Sequence, residues 1–202
     1  MKLWKGVAIL AFAMSLSGCA FFKGDNIPET TLAPPEQAEA MRPSVHYDVN
    51  ATQIMSVGAS HGEKFQQLVD QELAKILKES NYFSAVVKDG RDADINLSVT
   101  FTDTTGPGVM IGGIISGLTL WTIPTWLTEC YELKAVVKTK NNQTKAYEMS
   151  DSFTMVSWLP MILLAPVKNI TTITDVRENM YRNLFMHMKD DGLLIKKGPD
   201  GH

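Results

Sequence analysis

The sequence predicts an α+β domain: a mostly antiparallel sheet with two helices packed on one face, plus an apolar, glycine-rich insert. Three observations carry this expectation. Apolar residues recur at helical spacing in two separate stretches, one early and one late in the chain. Between them lie segments that alternate apolar and polar residues at period two, two of them joined by a short Asn-rich turn. The order strand, helix, strand, strand, hairpin, helix groups helices on one side of a sheet instead of alternating them with parallel strands.

Residues 45–192 are expected to form this single domain, a length sufficient for one core. A possible strand precedes Gly58-Ala59-Ser60-His61-Gly62. His61 to Ser80 then reads as the clearest helix, with Phe65, Leu68, Val69, Leu73, Ile76 and Leu77 on one face and Ser60 with Glu63 as a capping box. Tyr82 to Lys88 reads as a strand closed by Asp89-Gly90, and Asp94 to Thr102 as another. An uncharged run from Thr104 to Thr128 interrupts the pattern. After it, Tyr131, Leu133, Ala135 and Val137 alternate with Glu132, Lys134 and Lys138. Asn141-Asn142-Gln143 makes a turn, and Tyr147, Met149 and Phe153 alternate on the return. A second uncharged run, 152–167, contains Pro160 and Pro166, which break any long helix. Asp175 to Lys189 is the final helix, with Val176, Met180, Leu184 and Met188 at spacing four, Thr174 as cap and Gly192 as stop. Residues 193–202 read as a polar tail.

The chain opens with a basic start at Lys2 and Lys5, an apolar stretch from Val7 to Met14, and small residues before a cysteine. This is the layout of a secretory signal peptide, so residues 1–18 are expected to be removed. The closing residues Leu16-Ser17-Gly18-Cys19 resemble the lipobox of bacterial lipoproteins. That resemblance implies cleavage before Cys19, diacylglycerol on its thiol and acylation of the new amino end, giving a firm membrane anchor. Ala20, where an aspartate would imply inner-membrane retention, implies the outer membrane, at its periplasmic face. Residues 19–44, with Pro28, Pro34, Pro35 and Pro43, are expected to form a tether between the lipidated cysteine and the domain. The element order loosely resembles the small periplasmic domains of other envelope lipoproteins, such as the activators of peptidoglycan synthases and the curli-secretion lipoprotein.

Removing Lys2 and Lys5 with the leader takes the formal charge from −3 to −5, which argues against nucleic acid or anionic lipid headgroups as main partners. With Cys19 acylated, Cys130 is a lone thiol, expected to be a small buried residue. Gly58-Ala59-Ser60-His61-Gly62 matches the G-x-S-x-G nucleophile elbow, and Asp175 and His187 follow in the chain order of a hydrolase triad. The elbow belongs to a doubly wound sheet with several strands ahead of it, and that context is missing here. The glycine-rich 106–112 segment lacks the glycine spacing and distant acid of a dinucleotide loop. No histidine pairs with another or with a cysteine at metal-ligand spacing, so no cofactor is expected beyond the covalent lipid.

The two uncharged runs flank the hairpin and are expected to lie side by side at one end of the sheet. Ile111, Ile114, Ile115, Leu118, Leu120, Trp121, Trp126 and Trp158 are the candidate docking residues, for membrane, for another envelope protein or for a second copy. The expected function is therefore that of a non-enzymatic docking or assembly factor anchored at the outer membrane. The alternative is a subunit of an oligomeric export or pore complex whose insert enters the bilayer.

Overall fold

Long period-two segments make strands here, and the two amphipathic stretches make the long helices. The computed structural model describes residues 19–35, 38–55, 58–60, 62–88, 92–106, 108–159 and 173–195. In chain order these form β1 (Cys19–Lys23), β2 (Ser44–Met55), β3 (Gly58–Ser60), α1 (Glu63–Glu79), β4 (Ala85–Val87), β5 (Ile95–Thr105), α2 (Gly108–Leu118), β6 (Thr125–Thr139), β7 (Thr144–Ser157) and α3 (Ile173–Asp190). The sheet order is β1-β7-β6-β5-β2-β3, with β4 also beside β2. Pairing is antiparallel except where β2 meets β5 and β4. Parallel strands need a crossover, and α1 supplies it between β2 and β5.

One face of the sheet is buried. Val45, Tyr47, Leu97, Phe101, Tyr131 and Leu133 point into a single core, met by Leu73 and Leu77 of α1 and by Met180, Leu184 and Phe185 of α3. The alternate residues Ser98, Thr100, Lys134, Val136 and Lys138 are exposed on the other face. The α+β class with its mostly antiparallel sheet is thus observed, and two long helices cover one face. The apolar insert contributes a third helix, α2, which the sequence pattern did not separate from a glycine-rich loop.

Several local expectations are corrected. The capping box does not form: Gly62 is the N-cap of α1 and no side chain caps it. Ser60 instead belongs to β3, paired with Gln53 and two residues short of the helical cap. Within Tyr82–Lys88 only Ala85–Val87 is strand. Tyr82 and Phe83 are buried core plugs, the Tyr82 hydroxyl donating to the Ala33 carbonyl at 2.8 Å and Phe83 meeting Phe185 edge-on at 5.9 Å. Cys130 is exposed, because the inward orientation of Tyr131 turns its neighbour outward. Leu193 and Leu194, assigned to a polar tail, are buried in the core, while 196–202 lie outside the described residues.

The stretch expected as a tether is laid against the domain over 19–35. Residues 19–23 pair with β7. Gly24 then donates to the Ser152 carbonyl at 2.8 Å, and a Cβ on Gly24 would collide with the Ser152 hydroxyl. Asn179 and Asn183, four apart on α3, both donate to the Pro28 carbonyl, at 3.1 and 3.0 Å. The Thr30 amide returns a bond to Asn179 Oδ1 at 2.9 Å. Proline removes donors from this segment but leaves its carbonyls free, and the two asparagines satisfy one of them.

Candidate docking site

Strands β1, β7 and β6 continue past the end of β5 and form a three-stranded tip. The last row that holds a charge is Lys23–Phe153–Glu129–Thr105. Beyond it come Phe22–Thr154–Thr128, Phe21–Met155–Leu127, Ala20–Val156–Trp126 and finally Cys19–Ser157–Thr125. No acid or base stands in these four rows. At ~3.4 Å per residue the uncharged tip is about 14 Å tall. Its outermost row begins with the backbone of Cys19.

Helix α2 packs against β6 at this tip through its small residues. Gly112 lies against the Thr125 side chain, and the buried Ser116 hydroxyl bonds to the Thr125 hydroxyl. The large side chains point away. Ile111, Ile114, Ile115 and Leu118 follow the i, i+3, i+4, i+7 stripe and are exposed, Leu118 at 81%. A helix on a water-facing surface has the opposite polarity, with its apolar stripe inward. The helix carries no charged residue at either end.

The turn after α2 is held in a conformation that bulky residues rarely adopt. Leu120 and Trp121 have φ of 49° and 57°. The Trp121 amide donates to the Ser116 carbonyl at 2.9 Å, and the Trp121 carbonyl accepts from the Leu159 amide at 2.8 Å. The Trp158 indole donates to the Thr122 carbonyl at 3.3 Å. These bonds tie the end of β7 to the turn, so the two uncharged runs do lie side by side over the described residues 104–106, 108–128 and 152–159. Of the sequence-selected residues, Ile111, Ile114, Ile115, Leu118, Leu120 and Trp126 are exposed, Trp126 at 69%, while Trp121 and Trp158 are half-buried. Cys19 is placed by its backbone at the rim of the same patch.

Sequence reasoning missed Ile54, Met55, Ile123 and Leu159, all exposed at this end. Ile123 was visible inside the uncharged run. Ile54 and Met55 end a strand whose alternation gives no sign of which end of the sheet it reaches. Three of the four tryptophans, Trp121, Trp126 and Trp158, belong to the tip. The opposite end of the sheet is charged, with Lys140 paired to Asp92 at 3.2 Å and Lys145 to Asp191 at 3.1 Å.

A polar row closes the core just inside the tip: half-buried Gln53 and buried Asp103, Tyr131 and Asp151, adjacent in register on four strands. Gln53 donates to Asp103 Oδ2 at 2.9 Å, while Asp103 Oδ1 is buried without a hydrogen-bond partner. The Tyr131 hydroxyl donates to Glu129 at 2.6 Å, and Asp151 Oδ1 accepts the Ser152 amide at 2.8 Å. Burial raises the Asp103 carboxyl above its ordinary range, opposed by the Gln53 bond and reinforced by the Glu129 charge. A carboxyl that holds its proton more tightly when folded favours folding most below its unfolded pKa. That contribution is lost as pH rises through the folded value. Asp103→Asn is therefore expected to raise unfolding stability at neutral pH by about 1 kcal/mol, with the gain vanishing in acid. Urea titrations at the two pH values measure it.

The parts of a hydrolase triad are not brought together. Asp175 and His187 sit near opposite ends of α3, twelve residues or about 18 Å apart. The His187 ring stacks on Tyr147 at 6.3 Å, by the charged end of the sheet. His61 lies outside the described residues. Among the described residues no three His, Cys, Asp or Glu side chains could hold a metal ion, and no helix is long and apolar enough to cross a membrane.

No family model matches the chain, and no curated protein matches it. Among solved structures, the chain is similar to PelC, a dodecamer from Paraburkholderia phytofirmans, at 10% identity over 83% of this chain and 95% of that one, with a TM-score of 0.31.

Proposed function

We propose that this chain is a non-enzymatic docking component of a bacterial cell envelope, held at the periplasmic face of the outer membrane by acyl groups on Cys19. The observation that supports this reading most is the coincidence of two features. The exposed apolar helix α2 and the backbone of Cys19 occupy the same uncharged end of the sheet. An apolar patch of this kind marks a surface that something covers. The charged far end, ringed by Lys140, Lys145, Asp92 and Asp191, would face the aqueous periplasm.

The test is the mass and the fractionation of the mature chain. The expected mass exceeds that of the polypeptide from Cys19 onward by the acyl groups, and the protein withstands salt and alkaline-carbonate washes of membranes. A version secreted with a cleavable signal and serine in place of Cys19 is expected to come off in the carbonate wash. A mature mass equal to the bare polypeptide overturns the anchor.

A second reading, a subunit of an oligomeric export or pore complex, is favoured by one feature. The outward apolar stripe of α2, Ile111, Ile114, Ile115 and Leu118, is a surface that a second copy could cover. A single monomeric mass in mild detergent at all protein concentrations would count against it.

A further inference from the structure

We propose that the groove beneath α2 holds one of the acyl chains carried by Cys19, so that the protein's own lipid fills a site in its own fold. This rests on the acylation of Cys19 proposed above and names where one of those chains goes.

Helix α2 presents two stripes. The outward one carries the large side chains described above. The other, Gly112, Gly113, Ser116 and Gly117, faces the sheet tip and lines with it a groove of about 280 Å³. Gly112 and Ser116 meet Thr125, but a Cβ on Gly113 or Gly117 would meet nothing within 4 Å. Close packing therefore does not account for those two glycines, which are poor helix formers. What they leave is open volume between helix and sheet. Leu127, Met155 and Trp121, all half-buried, also line it. Among the described residues that line the groove none is charged, and the Ser116 and Thr125 hydroxyls bond to each other. Such a site offers mainly apolar contact and selects hydrocarbon over a polar molecule. A closed cavity of about 150 Å³ holds benzene, so the groove has room for roughly ten carbons of a chain.

Position names the source of that chain. Ser157 lines the groove and is the register partner of Cys19 in the β1–β7 pairing. Thr125, one strand further along the same row, lines it too. At about 4.8 Å between strands, the groove begins within roughly 10 Å of the Cys19 backbone. A chain bonded to Cys19 is held there by a short link, at an effective concentration of the order of millimolar. Charge points the same way. The ester and amide links of an acylated cysteine are neutral, whereas a phospholipid would bring its phosphate to four rows that hold no basic residue. The remaining chains on Cys19 keep the membrane anchor, since two suffice for stable attachment.

The test uses full-length protein made in cells fed a fatty acid with a diazirine midway along its chain, purified in mild detergent and checked for acylation by mass. Illumination expels nitrogen, and the carbene inserts into whatever touches the chain. The expected result is a crosslink from the Cys19 peptide to residues 108–118 or 125–127 of the same molecule. Mixing with isotope-labelled protein separates crosslinks within one molecule from those between two. Gly113→Leu together with Gly117→Leu fills the groove and should cut the crosslink at least tenfold without lowering the unfolding temperature. Ile114→Gln together with Leu118→Gln, on the outward stripe, should leave it in place. Acylated protein that crosslinks to detergent alone overturns the inference and leaves the anchor standing. A crosslink that persists undiminished in the filled variant also overturns it. Crosslinks found only between two molecules overturn it and assign the groove to a neighbour's chain. Labelling of the groove by diazirine phosphatidylcholine, with no crosslink from Cys19, overturns it in favour of a bilayer lipid. Protein shown by mass to lack acyl groups overturns the anchor and the inference together.

Discussion

Arg177→Met is expected to destabilise the domain by about 3–5 kcal/mol, because it strands a buried carboxylate. Arg177 on α3 makes two bonds to Glu72 on α1, Nε and Nη2 each at 2.7 Å, with the two side chains 7% and 9% exposed. The pair is the main polar link between the two long helices on the covered face. Its net value against an apolar pair is small, since desolvating both ions offsets much of their attraction. The cost lies in breaking it singly. Glu72→Met combined with Arg177→Met is therefore expected to recover most of the loss. Denaturant unfolding of the two single variants and the double measures this as a cycle. A single-variant loss below about 1 kcal/mol, or a double as unstable as the singles, would contradict the buried-pair account.

Phe101→Ala is expected to cost a comparable amount, about 3–5 kcal/mol, by a different mechanism. Phe101 is fully buried in β5, at the middle of the sheet, with Tyr131, Tyr181 and Phe65 ring centroids at 5.8, 6.2 and 6.3 Å. Those neighbours come from a strand and both long helices, so the void cannot close by moving one element. Phe101→Leu keeps most of the volume and is expected to cost under about 1.5 kcal/mol. A small loss for alanine would mean that the helices collapse onto the sheet, which the denaturant slope would also register.

The sequence was most legible where a single periodicity ran long. The 131–153 hairpin is observed as β6 and β7 around the Asn141–Gln143 turn, with Asn142 at φ 62° as a tight turn allows. The two long helices lie within two residues of their expected ends. Legibility failed where long-range pairing outweighs local composition. Four prolines and scattered acids make 19–44 look like unstructured chain, and nothing local signals that Phe21 will stack on Phe153 at 5.4 Å. Likewise α2 is rich in glycine, a poor helix former, and nothing local signals that it will pack on Thr125 of β6. The candidate docking residues were visible as uncharged sequence. Their outward orientation was not, because it inverts the usual rule that a helix buries its large apolar side chains.

The strand that starts at Cys19 has a mechanical consequence. A lipid fixed there would grip the sheet as a socket grips a mast, with no leash between them. A leashed domain sweeps a hemisphere and samples many orientations. A masted one drifts laterally, spins about the membrane normal and keeps the same face turned up. Its summit is the β6–β7 turn, fourteen residues along β6 from Thr125, at most about 50 Å above the bilayer. Anything that meets the summit must come into that thin layer, and it would find the protein already oriented.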